Sequence, residues 1–346
     1  MKYTPPPGST DPDAPFVNGV PGLQKGSPVP AEAVEHSQRE IVNVIKQAGL
    51  TPDDGDLTQL HQAINRMMPK SETFWLLKRL EANLTIYVNV ATGNDVTAAV
   101  NNGTSNYPFK TISAALLYVS TNYYLGSYMV SFEVANGIYV EAVNIPLFMA
   151  TTGGCVLSGE SVTGTIISLE GDTNSLATVT ARYNNNFVIN NITVYTPYVA
   201  ASFATGIWCA GGRITINDVT VRSRTGTPSS TSICIRCTQN GIIQHLLGTL
   251  TMQGNDALSW RMISVENAMF YFQSPLSFSG SAVDATIHVQ DLGLLVRGGS
   301  TSSGTVAGGG LRYRVNNNGV INTAGGGENF FPGGKAGVLI TGGIYA

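Results

Sequence analysis

A four-residue pattern returns along this chain at a nearly constant interval. In FVINNITVYTP, residues 187–197, two asparagines interrupt an alternation of apolar and polar residues. Ile189-Asn190-Asn191-Ile192 is matched by Ile216-Asn217-Asp218-Val219 further on. Asn136, Thr163, Asn190 and Asn217 are evenly spaced at that same interval. ISVENAMFY (263–271) and IHVQDLGLL (287–295) repeat the shape, with Val265 and Val289 separated by a slightly shorter interval, and SICIRCTQNGIIQ (232–244) is a looser copy. A lone Asn-Asn link reads as a hairpin turn. A period of about 24–27 residues, made of short strands with polar corners and no helices, predicts a β-solenoid with one coil per repeat. Strands of successive coils then stack in parallel, about 4.8 Å apart. Ile189, Ile216, Val265 and Val289 are expected to form one aliphatic ladder. Asn190/Asn191, Asn217/Asp218, Glu266/Asn267 and Gln290/Asp291 are expected to form a polar ladder at the corner, with stacked amides bonded along the axis. A β-sandwich or a propeller shares the composition, but its turns need not keep one phase from repeat to repeat.

The surface this implies is polar but weakly charged. The chain has 346 residues, 43% apolar and 12% charged, and 39 glycines. An ordinary globular protein is about 25% charged. A net charge of −3 gives no nucleic-acid footprint, and no apolar run is long enough for a membrane span. MKYTPPPGSTDPDAPF has neither a basic nor an apolar signal segment. The expectation is a chain built for the outside that leaves its cell another way, such as lysis, inside a virus particle. Cys234-Ile-Arg-Cys237 has the spacing of a redox pair or half a zinc site, but no second pair exists and His245 is the only histidine near it. Cys155 and Cys209 are two repeats apart and Cys234 follows about one repeat later, so these cysteines read as reduced thiols stacked in one ladder. No metal or cofactor is expected.

The chain divides by texture. Residues 1–70 read as an attachment arm and helical hairpin, 71–127 as a neck and cap, 128–297 as the solenoid, and 298–346 as a Gly-rich β tip. Residues 1–30 are rich in Pro and Gly, as in an extended arm. AEAVEHSQREIVNVIKQAGL then puts Val34, Ile41, Ile45 and Ala48 on one helical face, with Gly49 just past the end. A second helix has Asp56 as N-cap, Gln59 completing a capping box, and Leu57, Leu60, Ile64 and Met67 as its apolar face. This hairpin is too small to stand alone and should pack on copies of itself or on another protein. ISAALLYV reads as a short helix with Ile112, Ala115 and Leu116 inward. VNNNGVIN reads as a hairpin turn between LRYRV and VIN.

Several stretches are similar to a known family. PFVNGVPGLQKGSPVPAEAVEHSQREIVNVIKQAGLTPDDGDLTQLHQAI resembles the N-terminal segment of tail fibres and tailspikes of tailed bacteriophages. DVTAAVNNGTSNYPFKTISAAL is similar to the segment that opens right-handed parallel β-helices of the pectate-lyase type. VANGIYVEAVNI looks like the first coil after that cap. GGGENFFPGGKAGVLITGGIYA resembles the C-terminal tip of phage tail fibres. The resemblance implies a homotrimer joined to the phage baseplate or tail through its N-terminus and located in the virion after assembly in the host cytoplasm. In such a trimer the Gly-rich C-terminal segment is expected to interleave among chains, with Phe330, Phe331 and Tyr345 buried at the threefold axis.

Two functions fit such a chain. One is attachment of a virion to a bacterial surface polysaccharide. Sugars favour exposed aromatic faces, so Tyr183, Tyr195, Tyr198, Trp208 and Trp260 are the binding candidates, each set against plain packing in the coil stack. The other is a polysaccharide depolymerase, a hydrolase or lyase, on the same scaffold. Hydrolysis needs two carboxylates roughly 5–9.5 Å apart. Glu170 and Asp172 are the closest pair in sequence, with Glu160 on the coil before them. The short solenoid and the scarcity of charge favour attachment over catalysis. A bacteriocin-like tail would share this chemistry. A secreted pectate lyase would need a signal segment and a calcium-binding Asp cluster that are not found.

Overall fold

The computed structural model describes residues 10, 17, 25–27, 31–67, 77–169, 175–182, 186–197, 204–224, 232–254, 259–307 and 309–346, without the side chains of 31–34, 65, 259 and 260. The chain forms two compact units, Met1–Leu76 and Leu77–Ala346.

The larger unit is a parallel β-helix with three faces. The first face stacks Leu84–Val88, Met129–Val134, Gly154–Gly159, the leading halves of Phe187–Tyr195 and Arg213–Arg222, then Ile242–His245, Met269–Phe272, Leu294–Arg297, Val320–Asn322 and Ile344–Tyr345. The second stacks Gly137–Val140, Thr165–Ser168, the trailing halves of the same two long strands, Leu250–Gln253, Leu276–Ser279 and Ser302–Gly304. The third runs from Val143–Ile145 through Ala177–Arg182, Ala204–Ala210, Ser232–Thr238, Ser259–Glu266, Ala285–Gln290 and Leu311–Val315 to Val338–Leu339. The long strands pass from the first face to the second through Asn191 and Asp218, whose φ angles are +53° and +48°. Asn and Asp tolerate this left-handed conformation better than other side chains, so the sequence places them where the strand must turn.

The expected aliphatic ladder is two ladders on different faces. In the first face Ile86, Phe132, Leu157, Ile189 and Ile216 are successive register partners, all fully buried. Val265 and Val289 belong to the third face, in the row Ile145, Ala181, Cys209, Cys237, Val265, Val289, Val315. The polar corner divides in the same way. Asn217 Nδ2 donates to Asn190 Oδ1 at 3.2 Å in one row, while Asn317 Nδ2 donates to Asp291 Oδ1 at 2.8 Å in the other. Every face alternates apolar and polar residues at nearly the same period, so phase alone does not tell one face from another. The cysteines are split likewise. Cys209 and Cys237 stack on each other, whereas Cys155 lies between Val130 and Phe187 in the first face. All four are free and buried, and burial pushes the Cys234 thiol up to about 12.

A helix closes the N-terminal end. Ile112–Asn122 buries Ile112, Ala115, Leu116 and Val119, and Thr111 caps its first turn. Glu141, in the first coil, accepts bonds from the amides of Ile112 at 2.8 Å and Ser113 at 2.9 Å. A carboxylate there satisfies two orphan donors and meets the positive end of the helix dipole.

At the other end, strand pairing continues through the segment expected as a separate Gly-rich tip. Leu311–Val315 pairs with Ala285–Gln290 and with Val338–Leu339, and Val320–Asn322 pairs with Leu294–Arg297 and with Ile344–Tyr345. VNNNG is therefore a coil corner and not a hairpin turn, since the strands on either side of it pair with other coils. The glycines fit this. Gly241, Gly293, Gly319 and Gly343 occupy one recurrent corner, and a Cβ on any of them would stand under 3 Å from a backbone carbonyl oxygen of the coil before. Phe331 is fully buried within its own chain, its ring 6.4 Å from that of Phe272 and 6.3 Å from that of Phe278. It plugs this chain's core, which removes it from the expected threefold contact. Phe330 and Tyr345 are half-buried, Tyr345 stacked on Tyr313 at 4.1 Å.

In the smaller unit, helices Ala31–Gln47 and Gln59–Met67 pack on each other. Gly49 ends the first helix at φ +71°, with its amide bonded to the Lys46 carbonyl and that of Leu50 to Ile45, the double bond pattern of a Schellman cap. Asp56 accepts the Thr58 amide at 2.8 Å, but Gln59 does not close a capping box with it. Its side chain bonds Asp53 N and Thr51 O instead, tying the turn to the helix. Ile45 and Ala63 are buried, while Ile41, Leu57, Leu60, Ile64 and Met67 stay exposed within this unit. Among the described residues, no helix is long and apolar enough to cross a membrane.

Candidate functional site

The outer side of the third face carries most of the chemistry. Thr180, Trp208, Arg236, Ser264, His288 and Arg314 are partners coil after coil. The half-buried Trp208 donates its indole N–H to Thr238 Oγ1 at 2.9 Å, and the guanidiniums of Arg182 and Arg236 lie 5.2 and 5.7 Å from its ring centre. A ring flanked by two cations is held by cation–π attraction, which competes with stacking on a sugar. Arg236 pairs with Glu266 at 2.9 Å, and Arg261 and Arg314 both pair with Asp284 at 2.8 Å. Ser264 Oγ donates to Glu266 Oε1 at 2.9 Å. His288 shares Nε2 with Asn316 Oδ1 at 3.0 Å, and burial, then the nearby Arg261 charge, push its imidazole down to about 4. The row is a polar network in which ion pairs surround a buried imidazole.

One of the carboxylate candidates, Glu160, lies elsewhere. A cleft of about 270 Å³ near the N-terminal end is lined by Tyr87, Asn89, Glu133 and Glu160, among others. Tyr87 and Glu133 are register partners. Glu160 is exposed and its Oε2 accepts the Asn136 amide at 2.9 Å, so it also ties two coils together. Glu160 and Glu133 thus line the same cleft. Glu170 and Asp172, its expected companions, lie outside the described residues, as do Tyr183 and Tyr198. Trp260 is described only as backbone of the strand Ser259–Glu266. Tyr195 is half-buried, and its hydroxyl accepts from Arg222 Nη1 at 3.4 Å. Among the described residues, no three His, Cys, Asp or Glu side chains gather as a metal site.

Fold and surface together define a parallel β-helix protein whose third face carries a polar row. No protein-family model matches this chain, and no curated protein sequence does. Among solved structures, the deglycosylated pectin methylesterase from Aspergillus niger aligns at 12% identity and TM-score 0.36, covering 75% of this chain and 84% of its own. Its penultimately deglycosylated form gives 13% and 0.39 over the same shares. Pectin methylesterase PemA from Erwinia chrysanthemi aligns at 16% and 0.34, covering 69% of this chain and 66% of its own. At such identities and scores, neither activity nor site passes from those enzymes to this chain, and the fold rests on the strand register.

Proposed function

We propose that this chain is a tail fibre or tailspike subunit that attaches a bacteriophage virion to a bacterial surface polysaccharide. The observation that carries the reading is the third face, where polar side chains recur coil after coil along the stack, with Trp208, Arg236 and Arg314 partly exposed and Ser264 and His288 buried between them. A repeating polymer meets a repeating surface, and weak contacts add along it. Three copies would multiply them by avidity. The helical hairpin supports the same reading, because Leu57, Ile64 and Met67 need a partner to leave water. In a homotrimer those residues pair across copies or dock on the baseplate. The link to phage fibres comes from the resemblance of the termini.

Light scattering of the purified protein tests the assembly, with an expected mass three times the 36.5 kDa chain. Retention on a panel of immobilised bacterial surface polysaccharides tests the partner. The expected result is selective retention by one polymer class, and no retention by any of them would remove the attachment reading. A second reading, a depolymerase, is favoured by Glu133 and Glu160 lining one cleft, since glycoside hydrolysis works through two carboxylates.

A further inference from the structure

At the C-terminal end of the β-helix, a cleft of about 290 Å³ is lined by Ser302, Ser303, Thr305, Arg312, Asn329 and Phe330, among others. Its wall includes the strand Ser302–Gly304, which pairs with Leu276–Ser279 on one edge. Among the described residues no strand pairs with its other edge. An unpaired strand edge offers backbone donors and acceptors to whatever lies beside it. Ser303 and Thr305 are exposed, and Ser302 Oγ is a buried hydroxyl with no hydrogen-bond partner among the described residues.

The base of the cleft is fixed. Phe331, fully buried, meets the Phe330 ring edge-on at 4.9 Å. Arg297 lies 4.7 Å from the centre of the Phe330 ring and is itself anchored to the carbonyls of Ser300 and Thr323. Phe330 is therefore a positioned aromatic wall and not a loose side chain.

Arg312 distinguishes this cleft from the polar row of the third face. There Arg236, Arg261 and Arg314 each have a carboxylate partner. Arg312 has no ion pair or side-chain hydrogen bond among the described residues, and no carboxylate lines the cleft. Glu328, close in sequence to Asn329, is exposed and is not part of the lining. A guanidinium without an ion-pair partner, on a half-buried residue beside hydroxyls, an amide and an aromatic ring, is a recognition set. The fork binds a carboxylate in two parallel bonds. The hydroxyls and the Asn amide both donate and accept, as sugar hydroxyls do. The volume is below the usual range for drug-sized ligands, about 300–1,000 Å³, which suits a single sugar ring. One unpaired cation is too little for a nucleic-acid footprint, which needs a basic stripe.

We infer that this terminal cleft is a subsite for an acidic saccharide unit, with Arg312 on its carboxylate and Ser303, Thr305 and Asn329 on its hydroxyls. The inference rests on the attachment reading and names the part of the molecule that recognises the polymer.

The test uses the full-length protein on a panel of acidic and neutral bacterial polysaccharides. The retained polymer is then compared with its carboxyl-reduced form, in which the acidic units are converted to neutral sugars. Two variants follow, Arg312→Gln, which removes the charge, and Thr305→Trp, which fills the cleft. Each is checked for an unchanged melting temperature, and Ser303→Trp replaces any variant that melts early. The expected result is retention of an acidic polymer that falls at least tenfold on carboxyl reduction and in each variant. Retention unaffected by the variants overturns the subsite and leaves the attachment reading standing. Retention of neutral polymers alone also overturns it. No retention of any polymer removes both.

Discussion

Asn217 shows how one side chain joins coils. It is 9% exposed, donates to Asn190 Oδ1, and accepts the amides of Leu246 at 3.2 Å and Leu247 at 3.0 Å. Asn217→Ala orphans these amides, at a cost of about 1–3 kcal/mol each where water is excluded. Urea unfolding should show a lower midpoint with an unchanged slope; an unchanged midpoint would show that water replaces the amide. His288 gives the pH dependence. Its imidazole is held down to about 4, against an ordinary 6.5, so the unfolded chain binds more protons between those values. Stability therefore rises with pH across that window and falls on acidification, by on the order of 3 kcal/mol at full effect. His245, also held down by burial, acts in the same direction. In thermal melts from pH 7 to pH 4.5, His288→Gln should flatten the acid loss, whereas an identical loss would place its origin elsewhere. At this scale the sequence was partly legible. The Asn and Asp corners followed from the repeat, but the cation pair flanking Trp208 did not, because Arg182 and Arg236 each lie a whole coil away from it along the chain.

At the scale of elements, the corner glycines matter more than their number suggests. Gly319 lies where a Cβ would stand 2.7 Å from the Val289 carbonyl oxygen. Gly319→Ala forces the coils apart and should cost about 2 kcal/mol or more. A melting temperature equal to the parent would mean that the coil relaxes around the methyl. The same glycine explains why the last coils were hidden. Their strands are short, and their Gly content reads as loop until the close approach of the preceding coil is known. The cap helix was legible because its inward residues Ile112, Ala115 and Leu116 follow helical spacing. The assignment of ladders to faces was not, because three faces share one alternation. The clefts were the least legible. Ser302 and Asn329, like Tyr87 and Glu160, come from segments with no common spacing.

For the whole molecule, the repeat announced a parallel solenoid and the strand register extends it from Leu84 to Tyr345. The helical unit and the β-helix are built on different periods. What the β-helix does to a polymer was not visible, because a binding surface and a cleaving one use the same scaffold. The central claim is attachment without cleavage. The measurement that tests it most directly is to incubate the protein with the polysaccharide it retains and follow the polymer's size by gel filtration. Attachment predicts a polymer of unchanged length that elutes with the protein. A polymer that shortens with time would contradict the account and make Glu133 and Glu160 the first residues to replace.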